Sequence, residues 1–141
     1  MSIRYELKVH SELGNLTRIG DFITDTARKL GLTEDDIFAV EMSVDEACAN
    51  VMEHAYRGEP GGPIEITCRL EGESFVVVIH DQGEPFDPSS VPCPDTTCPL
   101  EEREVGGLGV HFMRTLMDEI RFEFDAQDGN TLTMTKVRSQ S

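Results

Sequence analysis

The order of its periodicities limits most what this chain can fold into. Residues 2–10 alternate apolar and polar, with Ile3, Tyr5, Leu7 and Val9 in step, the pattern of a half-buried strand. Two long runs of helical period follow back to back, 12–30 and about 33–56, broken only around Gly31. Two strand-like runs come next, 64–70 and 74–81, joined by a short turn at Glu71, Gly72 and Glu73. After an irregular segment a helix spans about 109–117, and two strands close the chain near 120–125 and 131–138. The order is therefore β-α-α-β-β-loop-α-β-β. Strands that arrive in pairs argue against strict βαβ alternation. They predict an α/β (α+β) two-layer sandwich, a mixed and mostly antiparallel sheet with helices on one face. At 141 residues the chain reads as one domain, 1–141.

Boundary signals refine the elements. Ser11 is the expected N-cap of the first helix, whose inward stripe is Leu16, Ile19, Phe22, Ile23, Ala27 and Leu30. Gly31 ends it in a left-handed conformation. Thr33 caps the second helix ahead of Glu34, Asp35 and Asp36, three acids that suit the positive end of the helix dipole. Ile37, Val40, Val44, Ala47 and Val51 then recur at spacings of three and four, and a Gly/Pro cluster over 57–63 stops the helix.

Charge excludes some functions. With 27 acidic and 12 basic side chains the net charge is -15, a field that repels nucleic-acid phosphates and anionic lipid and favours a basic protein partner or a metal-chelated ligand. The longest purely apolar stretch, 75–79, is far short of the roughly 20 residues a spanning helix needs. The N-terminus is too charged for a signal peptide, so a cytoplasmic location is expected. Cys48 and Cys68 fall in a predicted helix and strand, where thiols act as small hydrophobes. Cys93 and Cys98 sit in a proline-rich loop, and a lone pair without a second CxxC is a weak zinc signal.

Three stretches carry candidate chemistry. In the second helix Glu46 and Asn50 stand one turn apart, about 40° around the axis, on the border of the apolar stripe. A border carboxylate can orient or deprotonate a hydroxyl, and a border amide oxygen can ligate Mg²⁺. Equally, the pair can be part of a solvated acidic face with Glu41, Asp45 and Glu53. Asp81 ends an apolar strand just before Gln82 and Gly83. Such a carboxylate can accept from an exocyclic amine beside a glycine that admits a flat ring, or simply end a strand in a turn. Gly106, Gly107, Leu108 and Gly109 open a helix and free N–H groups for an anion, although a hinge reads the same way. No Gly-Lys-Ser/Thr follows, so this is not a Walker A loop. Between these stretches, 84–106 holds five prolines (85, 88, 92, 94 and 99) and is a candidate lid or a passive insertion.

Taken together these residues resemble the nucleotide-binding signatures of the GHKL superfamily of ATPases, with its Bergerat-type ATP-binding fold. They are most similar to its small branch of bacterial anti-sigma-factor serine/threonine kinases. The likeness rests on Glu46 through His54, on Asp81, Gln82 and Gly83 with Pro85, Phe86 and Asp87, on 107–111 with 113–119, and on Gly129, Asn130 and Thr131. The resemblance implies ATP and Mg²⁺ as cofactors. Glu46 would be the general base, Asn50 the Mg²⁺ ligand and Asp81 the acceptor from the adenine amine. Gly83 would pass close to the ring, Gly107, Leu108 and Gly109 would bind the phosphates beneath a lid over 84–106, and Thr131 would support the adenine end. It also implies phosphorylation of Ser/Thr on a small antagonist protein, sequestration of a sigma factor, and a homodimer. Pro85 stands where the family has a second glycine, and Arg103 is the only basic side chain between 84 and 109. One alternative is a module of the same fold that controls a partner by binding alone. Another, a histidine-kinase catalytic domain, lacks a preceding dimerisation helix in this chain.

Overall fold

In the computed structural model the residues described are 3–85 and 113–139. Strand β1 (Arg4–His10) leads to helix α1 (Asn15–Lys29) and helix α2 (Glu34–Asn50), which passes into a π-helical turn (Val51–Ala55). Strands β2 (Pro63–Glu71) and β3 (Ser74–Asp81) follow, and β4 (Glu119–Asp125) and β5 (Gly129–Val137) close the chain. A helical turn at 113–116 precedes β4. The five strands form one sheet in the order β1-β2-β3-β5-β4. All four neighbouring pairs are antiparallel, so the sheet is not mixed among the described residues. No helix among the described residues is long and apolar enough to cross a membrane.

The core lies between the sheet and the helices. Ile19, Ile23 and Ala27 of α1 and Ile37, Val40, Val44 and Ala47 of α2 bury against Ile64, Ile66 and Cys68 of β2, Phe75, Val77 and Ile79 of β3, and Leu132 and Met134 of β5. Leu16, Phe22 and Leu30 pack at its margin, so the expected α1 stripe is the observed one. Burial pushes the Cys68 thiol up to about 12 and raises that of Cys48 as well, so both behave as small core hydrophobes. Cys93 and Cys98 lie outside the described residues.

Two helix boundaries differ from the sequence expectation. α1 starts at Asn15, with Gly14 at the cap position and no side-chain cap. Ser11 is buried instead. Its N–H donates to the Gly62 carbonyl at 2.7 Å, and its carbonyl accepts from Gly61 N–H at 3.2 Å. The residue that periodicity offered as a cap is thus taken by the loop that precedes β2. α2 does not continue regularly to Tyr56. After Asn50 the hydrogen bonding widens, and Tyr56 N–H donates to the Val51 carbonyl at 2.9 Å. Hydrophobic spacing cannot report that one-residue expansion, because it occurs where the apolar stripe ends.

The junction between the helices is tied to the chain's last described residues. Gly31 adopts φ +86° and its N–H bonds to the Arg28 carbonyl, while Leu32 N–H reaches Ala27, the paired closure of a Schellman motif. Thr33 Oγ1 accepts from Asp36 N–H at 3.2 Å, as a capping hydroxyl should. Arg138 then donates to the Leu30 carbonyl at 2.9 Å and to both oxygens of Glu73, also at 2.9 Å. Ser139 donates through N–H and Oγ to the buried Asp36 carboxylate at 2.6 and 2.9 Å. Asp36→Ala leaves these donors unmatched. It should lower unfolding free energy by about 1–3 kcal/mol in denaturant titration, the range for a buried partner left unsatisfied.

Candidate functional site

The site forms where α2 and its π turn face the ends of β3 and β5. Ala47, Asn50, Val51, His54 and Ala55, spaced i, i+3, i+4, i+7 and i+8, line one wall of a cavity of about 240 Å³. Ile79 and Asp81 of β3 and Asn130, Thr131 and Leu132 of β5 form the other, with Met113, Phe122, Glu123, Glu84 and Pro85 around them. The register explains why β3 and β5 deliver these residues together. Asp81 pairs with Asn130 and Ile79 with Leu132, and both pairs are on the side of the sheet that faces the helices.

Asp81 is 4% exposed, an unusual position for a carboxylate. Its Oδ1 accepts from Gly83 N–H at 2.8 Å and from Asn130 Nδ2 at 2.8 Å. Among the described residues both bonds fall on Oδ1, so Oδ2 is the oxygen left for a group entering the cavity. Burial raises the Asp81 carboxyl above the ordinary aspartate range, and the two donors and neighbouring His80 only partly offset it.

The turn after β3 is built against the end of the π turn. Glu84 N–H donates to the Ala55 carbonyl at 2.8 Å. A Cβ at Gly83 would sit 2.5 Å from that same carbonyl oxygen, so only glycine fits this approach. Tyr56 adds a strut, its hydroxyl accepting from Gln82 N–H at 2.7 Å and donating to the Pro63 carbonyl at 2.6 Å. Gly129, at φ +96°, opens β5. A Cβ there would collide with the Asp81 carbonyl oxygen.

The candidates chosen from sequence divide three ways. Asn50, Asp81 and Thr131 come together in the cavity wall, and Gly83 stands just behind it, in the turn that fixes Asp81. Glu46 is half-buried on α2 and is not among the residues lining the cavity. Gly107, Leu108 and Gly109 lie outside the described residues, as does the expected lid apart from Glu84 and Pro85. Sequence reasoning missed Asn130 and Tyr56 as contributors. Asn130 enters the sequence reading only through the signature at 129–131 and Tyr56 only as the end of a helical run, because the contacts that matter here reach Asp81, 49 positions away, and Gln82, 26 positions away.

An antiparallel sheet with both helices on one face makes a two-layer domain, and a buried strand-end carboxylate walls an apolar cavity at one end of it. The chain belongs to the histidine kinase-like ATPase domain family, whose model matches residues 9–136. A serine-protein kinase RsbW of Bacillus licheniformis is 33% identical over 123 residues, 81% of this chain and 72% of that relative. The RsbW of Halalkalibacterium halodurans is 32% identical over 139 residues, covering 96% of this chain and 82% of its own. Among solved structures, a Mycobacterium tuberculosis protein containing RsbU and RsbW domains matches with a TM-score of 0.72 and 17% identity. That likeness covers 99% of this chain, which spans 33% of the larger one, and it bears on the fold. The sequence resemblance to the GHKL ATPases and their small serine/threonine kinase branch is borne out.

Two predictions follow from the geometry. Gly83→Ala forces the turn away from Ala55 and should destabilise the chain by about 1–3 kcal/mol, the range for strain at a tight backbone site, as read by thermal melting. The second concerns Asp81. Its folded pKa is raised, so the native state binds the proton more tightly than the unfolded one. The destabilisation this brings is present above the folded pKa and disappears as pH falls through it. Asp81→Asn keeps an acceptor at Oδ1 and removes that burden. At neutral pH the variant should be at least as stable as its parent in denaturant titration, and the gap should close at acid pH.

Proposed function

We propose that this chain is an ATP-dependent protein serine/threonine kinase of the anti-sigma-factor type, which phosphorylates a small antagonist protein and sequesters a sigma factor. One observation carries the nucleotide half of the reading. Asp81 is buried at the end of a cavity walled by Ile79, Leu132 and Val51, with one oxygen saturated from within the protein. A flat apolar ring with an exocyclic amine suits that environment, since the ring contacts aliphatic carbon while the amine donates to the remaining oxygen. The names of the curated relatives support the kinase half.

The residues present fit Mg²⁺ in a limited way. No cluster of three or more His, Cys, Asp or Glu side chains that could hold a metal occurs among the described residues. The Asn50 amide lines the cavity, and a single protein ligand suits Mg²⁺, which is commonly held with waters and phosphate oxygens. Bound there, the ion would neutralise phosphate charge. Asn50 would supply its carbonyl oxygen, Glu46 would take the hydroxyl proton of the acceptor side chain, and Thr131 would support the base. The single-domain organisation belongs to the same proposal and rests on chain length, the lid over 84–106 rests on its five prolines and on the resemblance, and the phosphate contacts of Gly107, Leu108 and Gly109 rest on the resemblance. The homodimer rests on the resemblance as well, and the cytoplasmic location on the sequence expectation given above.

Net charge supports a basic protein partner, because an acidic domain speeds encounter with a cationic surface at low salt. One observation favours a second reading, a module that binds ATP and controls its partner without transfer. Glu46 does not line the cavity. The two are separated by incubating the chain with labelled ATP, Mg²⁺ and candidate small antagonist proteins. The kinase reading expects label on a serine or threonine of the antagonist. It also expects Glu46→Gln to keep nucleotide affinity while transfer falls ~10²–10⁴-fold, the usual weight of a general base. Asn50→Ala should lower transfer and the Mg²⁺-dependent part of the affinity together. No transfer by the parent, with ATP bound normally, would select the binding module.

A further inference from the structure

Asn130 has no part in the roles assigned above, yet its side chain joins the two halves of the base end of the cavity. Its Nδ2 lies 2.8 Å from Asp81 Oδ1, 2.9 Å from the Glu84 carbonyl and 3.2 Å from the Gly83 carbonyl. All three neighbours are acceptors, so chemistry decides which end of the amide faces them. An amide oxygen at that point would meet three lone-pair donors with no proton between them. Two N–H bonds serve three acceptors. The two short contacts take one hydrogen each, and the 3.2 Å contact is shared.

The consequences meet at Asp81. With Gly83 N–H and Asn130 Nδ2 both on Oδ1, the carboxylate is held against rotation, and the cavity is offered a single acceptor, Oδ2. The same amide grips the turn through the Gly83 and Glu84 carbonyls, and Glu84 N–H is anchored in turn on Ala55. The position of the base-recognising oxygen is therefore set from β5 and from the end of the π turn at once.

We propose that Asn130 is a positioning residue for nucleobase recognition, which fixes Asp81 so that Oδ2 selects purines bearing a 6-amino donor. The inference rests on the reading of Asp81 as the base contact. A 6-oxo purine turns a carbonyl toward that oxygen and is repelled, and a purine with hydrogen at position 6 offers nothing to accept. Loosening Asp81 should therefore remove the preference for the amine. It should leave contacts with the rest of the ring and with the phosphates in place.

The test compares dissociation constants of the full chain for ATP and for purine riboside triphosphate, which lacks the 6-amino group, with Mg²⁺ present. The parent should prefer ATP by about tenfold or more, the order expected for one buried hydrogen bond. Asn130→Ala removes the donors, and Asn130→Asp keeps the shape while placing acceptor against acceptor. In both, the preference should fall to about threefold or less, chiefly through weaker ATP binding, while the folded chain persists by circular dichroism. Variants that keep the parental preference overturn the proposal. So does equal weakening of both nucleotides, which indicates a structural part only. A parent without preference sinks the base-contact reading of Asp81 itself, and that outcome is read before any variant. Should neither variant fold, the side-chain amide resonance of Asn130 in the parent decides. It should differ between the ATP and purine riboside triphosphate complexes, and identical resonances refute the role.

Discussion

The pairing of β3 with β5 is the constraint on which the rest of the structure depends. β3 is the central strand, flanked by β2 and β5, and Phe75, Val77 and Ile79 bury completely or nearly so against the helices. Strand side chains alternate with period two, so a one-residue slip would turn all three away from the core. The same slip would move Asp81 from the cavity wall to the far face of the sheet and part it from Asn130. Hydrophobic burial of a few large side chains thus sets the register, and the register delivers a polar pair to one end of the sheet. The site uses a geometry that the core has already fixed.

Placing a carboxylate at that end has a cost, and the surroundings reduce it without cancelling it. Gly83 N–H and Asn130 Nδ2 stabilise the ionised form, while desolvation acts in the opposite direction and prevails. A group kept in so unfavourable a place, when asparagine would satisfy the same neighbours, points to selection for something other than stability. Among the described residues the other buried carboxylate is different in kind. Asp36 receives two donors from Ser139 at the opposite edge of the fold and locks the helix junction. One buried acid closes the structure, and the other leaves an oxygen for a ligand.

The fold was legible in the sequence to the extent that it follows periodicity. The strands fell within a few residues of their positions, and the α2 cap at Thr33 and the left-handed Gly31 are as expected, because each is a local signal with a local cause. The failures share a cause as well. Ser11 has the chemistry of a cap, but the loop at Gly61 and Gly62 competes for its backbone and α1 starts later. The π turn after Asn50 has no composition of its own, since Val51, Met52 and Ala55 would serve equally in an α-helix. In the site, Asp81 was identifiable from a carboxylate that interrupts an apolar run beside a glycine. Its partner, Asn130, follows 49 residues later at the start of β5, and only the strand register reveals the contact.

The cavity is made by two kinds of element, and that division bears on how its functions can separate. The proposed base-recognition end is assembled from strand ends and tight turns, where Asp81, Gly83, Glu84, Asn130 and Ala55 hold one another through hydrogen bonds and a glycine contact. The proposed transfer groups, Glu46 and Asn50, stand on α2, with Asn50 in the wall and Glu46 outside it. Substitution at either helix position leaves the turn network untouched, whereas change at Gly83 or Asn130 disturbs several bonds at once. A chain of this kind can therefore lose phosphoryl transfer by Glu46→Gln and still hold nucleotide, whereas a change in the turn network weakens nucleotide binding and transfer together.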